Sequence, residues 1–367
     1  MFDHLHYVPV LKWRQGEYQA LLKLAPTIKD WVTPLFEIPT EQWDFENDAP
    51  AKSLDEHLGK FGRRLKAKWG SRYCFVDSCY LQPNAQNAAG VHHLAWIFEL
   101  ARQEGAKPIP VTGLGRAAAY TNAVKQIVAI DGSGCCIRLV SEDFDRPQLK
   151  NELLALLDFL GVKPTDADIV IDLQDNVGHS ASAHARLALT MLQQLPLLAR
   201  WRTLTIAGGS FPTSLPSATF RPSGTTPRFD WLGYRALVLS MPENIRVPTF
   251  ADYSVSAQST ELLDPRVVDP LAKIKYTVGD EWFLAVGTQV KRNGRDQYVD
   301  LCKTILNATP SVFHGAPYSW GDEYIDGCAK GLESTGGSST WPSVATNHHV
   351  TRVVRDVAKL HAASSAP

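Results

Sequence analysis

Little in this sequence supports a sulfur-based, membrane-based or nucleic-acid-based reading. Six cysteines, at positions 74, 79, 135, 136, 302 and 328, are scattered without a Cys-x-x-Cys pair. This excludes a dense disulfide framework and makes buried free thiols the expectation, ahead of a metal or redox role. No apolar run approaches the roughly 18–20 residues that cross a bilayer, so no membrane partner is expected. The first residues, MFDHLHYVP, lack the basic region and apolar core of a secretory signal, which makes a cytoplasmic location the expectation. A formal net charge of -1 gives no general basic footprint, so net charge does not favour nucleic acid as a partner, although a local patch stays open. Gly-x-Gly-x-x-Gly after the first strand, Gly-x-Ser-x-Gly and the P-loop motif are all missing, which counts against a dinucleotide-binding domain, an α/β-hydrolase and a P-loop NTPase.

Eight evenly spaced apolar runs are present, each ending on or followed by a polar, charged or turn residue. VPVLK ends on Lys12, TPLFE on Glu37, YCFVD on Asp77, PIPVT on Thr112, CCIR on Arg138 and IVID on Asp172. LTIA is followed by Gly208, Gly209 and Ser210, and VPTFA by Asp252. Segments of helical periodicity lie between the first seven: Leu21, Leu22, Leu24, Ile28 and Trp31 share one face, and Ser53 with Glu56 reads as a capping box. Glycines close the segments after the third and fourth strands, and Pro147 is placed in the first turn of the helix after the fifth. This alternation predicts a parallel sheet, and eight repeats favour a closed (β/α)8 TIM-like barrel over an open doubly wound sheet.

Regularity falters after the seventh strand. SFPTSLPSATFRPSGTTPRFDW reads as a long loop, and FDWLGYRALVLSM as a shortened seventh helix. Beyond the eighth strand, a hairpin around Gly279-Asp280 is followed by helices, the last one read from HHVTRVVRDVAKLHA. The expected organisation is a barrel over 1–258 and an α+β C-terminal extension, a hairpin plus helices, over 259–367, packed on the barrel, with the mouth as one surface for it to cover.

YVPVLKWRQGEYQAL, PLFEIP, FVDS, FADYSV, SWGDEYIDGCAKG and the stretch with Trp341, Asn347, His348 and His349 resemble the family named after the bacteriophage T4 beta protein. The likeness runs over nearly the whole chain. It implies a context of phage biology or bacterial defence, and no reaction or catalytic residue is carried over from it.

In such a barrel the C-terminal strand ends converge on one mouth, where active sites lie. Glu37, Asp77, Asp172 and Asp252 are candidate ligands for Mg²⁺ or Mn²⁺ and candidate acid–base groups; alternatively they pair with Lys12 and Arg138 or bond to loop backbone. Lys12 is a candidate anion binder, with an ion pair to Glu37 about as well supported and a Schiff-base or pyridoxal-phosphate role less so. Arg138 offers a rigid fork for carboxylate or phosphate, and Gly208, Gly209 and Ser210 form a candidate anion-binding turn. From the extension, Asp322 is a candidate catalytic group and Ser319 a helix cap, while His348 and His349 are candidate acid–base groups placed near a helix start, at most one of them reaching a site. His4 and His6 lie at the wrong end of the first strand for a metal site, and Arg228, Asp230 and Trp231 either line the mouth or begin a helix.

The functional expectation is a barrel hydrolase, metal-dependent in one version, acting on a phosphate-bearing small molecule, nucleotide or nucleic-acid end in a phage or anti-phage setting. The alternative is a non-catalytic module that senses a small anionic ligand or nucleotide, or binds a phage or host protein.

Overall fold

The computed structural model describes residues 2–175, 180–212, 222–256 and 267–364. Eight parallel strands close into a barrel: β1 (Tyr7–Lys12), β2 (Leu35–Glu37), β3 (Tyr73–Asp77), β4 (Lys107–Thr112), β5 (Cys135–Val140), β6 (Ala167–Asp172), β7 (Thr203–Gly208) and β8 (Thr249–Asp252). Every strand pairs with its neighbours in sequence, and β8 returns to β1 through Tyr7 with Phe250 and Pro9 with Asp252. That closure excludes the open doubly wound sheet. Both faces of the strands are buried, as their near-continuous apolar runs require: Val8, Val10, Leu35, Phe75, Val111 and Val170 fill the interior, while alternate residues pack outward on the helices. β5 continues to Val140, so Arg138 lies two residues inside the strand rather than at its end.

The capping box at Ser53 and Glu56 forms, and Gly132 and Gly161 end the helices Ala118–Asp131 and Leu149–Leu160 in left-handed conformations (φ 63° and 70°). Pro147 precedes the second of these helices instead of lying within its first turn. All six cysteines are free. Among the described residues no helix is long and apolar enough to cross a membrane.

Beyond β8 the hairpin forms as expected, with β9 (Leu271–Val278) and β10 (Glu281–Gln289) joined at Gly279-Asp280. A strand at Ser223–Pro227, in the stretch expected to be loop, adds antiparallel to β10. The sheet of the extension therefore takes one strand from the connection that follows β7, across the expected boundary at residue 258. Its helices are Gln297–Leu306, Trp320–Ala329 and Thr340–Ser364. The last begins eight residues before His348, because Trp341-Pro342 starts it; proline fits a first turn, where its missing N–H has no partner to lose. Asn347 on this helix accepts from Gly321 N at 3.0 Å and donates to Ala20 O at 3.0 Å, so one side chain ties it to both Trp320–Ala329 and the first barrel helix, Gln15–Leu22. At Gly321 a Cβ would stand 2.4 Å from Val344 O, which shows how closely these two helices pack.

Candidate functional site

Arg138 crosses the mouth of the barrel and gathers the strand-end carboxylates around one guanidinium. Its Nε and Nη2 donate to Asp172 Oδ2 at 2.9 and 2.6 Å, Nη1 to Asp77 Oδ2 at 3.0 Å, and Nη2 to Glu37 Oε1 at 2.8 Å. The Tyr253 hydroxyl accepts from Nη2 at 2.8 Å and donates to Asp172 Oδ2 at 2.6 Å. Arg116, in the loop after β4, donates to Asp77 at 3.0 Å, and the Tyr80 hydroxyl reaches Glu37 Oε2 at 3.2 Å. Three carboxylates thus meet two guanidinium groups, which offsets the cost of burying like charges together. Gly113 allows this crowding: a Cβ there would stand 2.5 Å from Arg138 O.

A cavity of about 490 Å³ opens over the network, lined among others by Glu37, Tyr80, Arg116, Arg138, Asp143 and Asp175. Burial raises the Glu37 carboxyl above the ordinary glutamate range, even against the pull of Arg138. Lys12, paired in register with Glu37, is buried; burial and Arg14 lower its ammonium, while Glu37 and Glu17 work the other way. A larger cavity of about 600 Å³ opens at the opposite end of the barrel, where Asp168 and Arg202 pair at 2.6 Å. That end serves stability in barrels of this class.

The donor set does not fit a metal cage. Glu37, Asp77 and Asp172 each give one oxygen to Arg138, their other oxygens accept from Tyr80, Arg116 and Gln174 N respectively, and Asp252 is held elsewhere. Among the described residues no group of three or more His, Cys, Asp or Glu side chains is placed to hold a metal ion. The Gly208-Gly209-Ser210 turn also has internal uses: Gly209 N donates to Gln174 O at 2.7 Å, and the Ser210 hydroxyl accepts from Asp230 N at 3.1 Å at the start of the helix Phe229–Ser240.

Asp252 anchors the C-terminal helix. It accepts from the Tyr7 hydroxyl at 2.5 Å, from Ser254 N at 2.8 Å and from His349 Nε2 at 3.0 Å; the Thr277 hydroxyl donates to His349 Nδ1 at 2.8 Å. Burial lowers the His349 pKa, which leaves a neutral ring whose tautomer these contacts fix. Burial alone would raise Asp252, but His349, Arg228 and Tyr7 hold it below the usual carboxylate range. Burial and the neighbouring Asp252 push Asp230 up to about 7, against the buried Arg228.

His348 and Asp322 form a second cluster, inside the extension. His348 Nδ1 lies 2.8 Å from Asp322 Oδ2 and Nε2 lies 2.8 Å from Thr277 O, so both nitrogens face acceptors. Asp322 also accepts from the Tyr276 hydroxyl at 2.6 Å and from Ser319, which caps the helix as expected. Neither histidine lines the mouth cavity. The adjacent pair instead stitches the helix to two different carboxylates.

The structure therefore brings together Glu37, Asp77, Arg138 and Asp172, and separates Asp252, Asp322, His348 and His349 into scaffold clusters. Tyr253, Tyr80 and Arg116 were not singled out from the sequence. Tyr253 directly follows Asp252, and Arg116 follows a Gly-Leu-Gly turn after Thr112; both are positions just past a strand end.

Nothing among the curated proteins matches. Solved structures of the tryptophan synthase α-subunit from the hyperthermophile Pyrococcus furiosus are similar at 10% identity. The form studied by X-ray analysis and calorimetry aligns over 70% of this chain and 90% of that one at a TM-score of 0.40, and a mutant form over 69% and 89% at 0.38. The model of the family described as Beta protein matches residues 7–355. With that match extending over both the barrel and the extension, the chain belongs to the Beta protein family.

Proposed function

We propose that the barrel mouth is the active site of a hydrolase for small phosphate-bearing molecules, with Glu37 as its proton carrier. The observation that carries this reading is the raised Glu37 carboxyl at the floor of the cavity, clamped by Arg138 and Tyr80. A buried carboxyl raised above its ordinary range suits general acid catalysis. Glu37 delivers its proton to the leaving oxygen as the phosphoester P–O bond breaks, and regains one from the attacking water. Arg116, which lines the cavity and whose side chain is 23% exposed, meets the phosphate. Arg138 positions Glu37 rather than binding the anion, since its donors are already engaged. The chemistry draws on the protein's own groups, with no step through Mg²⁺ or Mn²⁺. The resemblance to phage beta proteins supports a phage or anti-phage defence setting for it.

The test is a turnover screen with nucleotides, phosphomonoesters and phosphodiesters, run with Mg²⁺ or Mn²⁺ and again with EDTA. The wild-type protein turns over at least one compound in EDTA, and Glu37→Gln reduces that rate by about 10²–10⁴-fold. Complete neutralisation of Arg138 by its neighbours favours a second reading, a mouth that binds a ligand without converting it. Binding of a nucleotide with no turnover under any condition would select that reading over the first.

A further inference from the structure

A second cavity lies where the extension meets the barrel. Its volume is about 550 Å³, and it lies between the start of the first barrel helix, strand β9 and the start of the C-terminal helix. Four cations reach it from four parts of the chain: Arg14, Lys273, Lys275 and Arg295. Among the described residues none of the four takes part in an ion pair. Lys275 Nζ donates to the Val255 carbonyl and stands 3.9 Å from the centre of the Phe211 ring. Arg295 donates to Gly336 O at 3.3 Å. Among the described residues the one carboxyl in the wall is Glu17, which is 8% exposed and lies within the field of Arg14, Lys12 and Lys275. Arg14, Lys273 and Arg295, joined by Lys275, which a bound anion would hold in its charged form, outnumber the one carboxyl among the described residues of the wall, and such a cleft concentrates anions. The rest of the wall is of another character. Leu271, Val290, Pro342 and Trp341 give it an apolar side, and Ser339 and Thr346 add hydroxyl groups.

We propose that this cleft binds a polyphosphate-bearing small molecule of the nucleoside di- or triphosphate class, its phosphates held by Arg14, Lys273, Lys275 and Arg295. The volume exceeds what inorganic pyrophosphate alone would fill, and the apolar side provides for an uncharged organic part. The cleft is distinct from the mouth cavity and does not depend on the mouth being catalytic. Its position explains the consequence of occupancy: a ligand there bridges the barrel helix Gln15–Leu22, strand β9 and the helix Thr340–Ser364, and so fastens the extension to the barrel.

Isothermal titration with ADP and with inorganic pyrophosphate, at low ionic strength and again at about 0.3 M salt, tests this directly. ADP binds the wild-type protein, more weakly at the higher salt. Arg14→Ala and Lys273→Ala, both at exposed positions and so spared from folding defects, each weaken it about tenfold or more. Lys275→Met removes the deepest charge and weakens it further. Lys150→Ala, at an exposed position that lines neither this cleft nor the mouth cavity, leaves ADP affinity at the wild-type value. Absence of heat with both probes overturns the assignment, as does loss of binding in the mouth variant Arg116→Ala with none in Arg14→Ala and Lys273→Ala. Because the readout is affinity, a mouth without turnover leaves the result intact.

Discussion

Arg138 Nη2 lies 2.8 Å from Glu37 Oε1, an ion pair between residues 101 apart in sequence. Four strands, β2 to β5, and the helices between them must be in register before it forms. Its geometry sets both the stability of the mouth and the protonation of the group on which the proposed chemistry rests.

Replacing Arg138 leaves Glu37, Asp77 and Asp172 buried around an empty centre. Arg138→Met should cost about 3–5 kcal/mol, because an uncompensated buried charge is far worse than a missing attraction. Arg138→Lys should recover only a part, since one ammonium cannot reproduce a planar fork that serves three carboxylates and Tyr253. Urea midpoints measure this; a loss below about 1 kcal/mol for Arg138→Met would show that the network is solvated.

His184 is 1% exposed, and neither ring nitrogen has a hydrogen-bond partner among the described residues. Burial lowers its pKa to about 4. The unfolded chain takes up the proton near pH 6.5 and the folded chain only near pH 4, so stability is lost as pH falls through that window. His184→Leu removes both the orphaned nitrogens and this loss. It should be more stable than the wild type at pH 5 by about 2 kcal/mol, with a smaller gain at pH 7. Equal shifts at the two pH values would contradict the assignment of the cost to protonation.

Glu17 behaves in the opposite sense. Burial raises it from 4.5 to about 7, so the folded state keeps a proton that the unfolded chain has released. Stability should decline as pH rises from about 4.5 to about 7, by up to about 3 kcal/mol. Burial lowers Lys275 from 10.5 to about 7, and above pH 7 it works the other way, because the unfolded chain then holds the extra proton. Chemical unfolding at pH 5, 7 and 9 should show Glu17→Gln without the first slope and Lys275→Met without the second. Parallel wild-type and variant curves would exclude both residues as the source.

Asp322 accepts hydrogen bonds from His348, Tyr276 and Ser319 at the core of the extension. Asp322→Asn turns one acceptor oxygen into a donor facing groups that also donate. It should cost about 2–4 kcal/mol and loosen the helix Trp320–Ala329 first. Hydrogen exchange reads this locally: faster exchange there, with β3 to β6 still protected, is the expected pattern. Uniform loss of protection across the barrel would refute a local role.

The barrel was legible in the sequence because parallel strands buried on both faces carry their signal in short apolar runs, and polar residues mark where those runs emerge. The partnership of Arg138 with Glu37, Asp77 and Asp172 was only half legible. Charges at strand ends announce a polar mouth, but which carboxylate meets which cation depends on register across several strands, and Arg138 lies two residues deeper than its run suggested. Tyr253 and Tyr80 bore no mark, since an aromatic beside a strand reads first as core. The strand Ser223–Pro227 was hidden by its Ser, Thr, Gly and Pro composition. It is an edge strand that ends on proline, where a missing N–H costs least. His348 and His349 were placed near a helix start because their periodic run begins there, whereas Trp341-Pro342 starts the helix earlier.

Ser343 Oγ donates to Gly16 O at 2.8 Å and Asn347 Nδ2 to Ala20 O at 3.0 Å, each spanning 327 residues. During synthesis the first barrel helix therefore leaves the ribosome long before its outer cover exists. A nascent chain stalled anywhere before residue 340 presents that bare helical face, and it is there that chaperones or aggregation would intercept this protein.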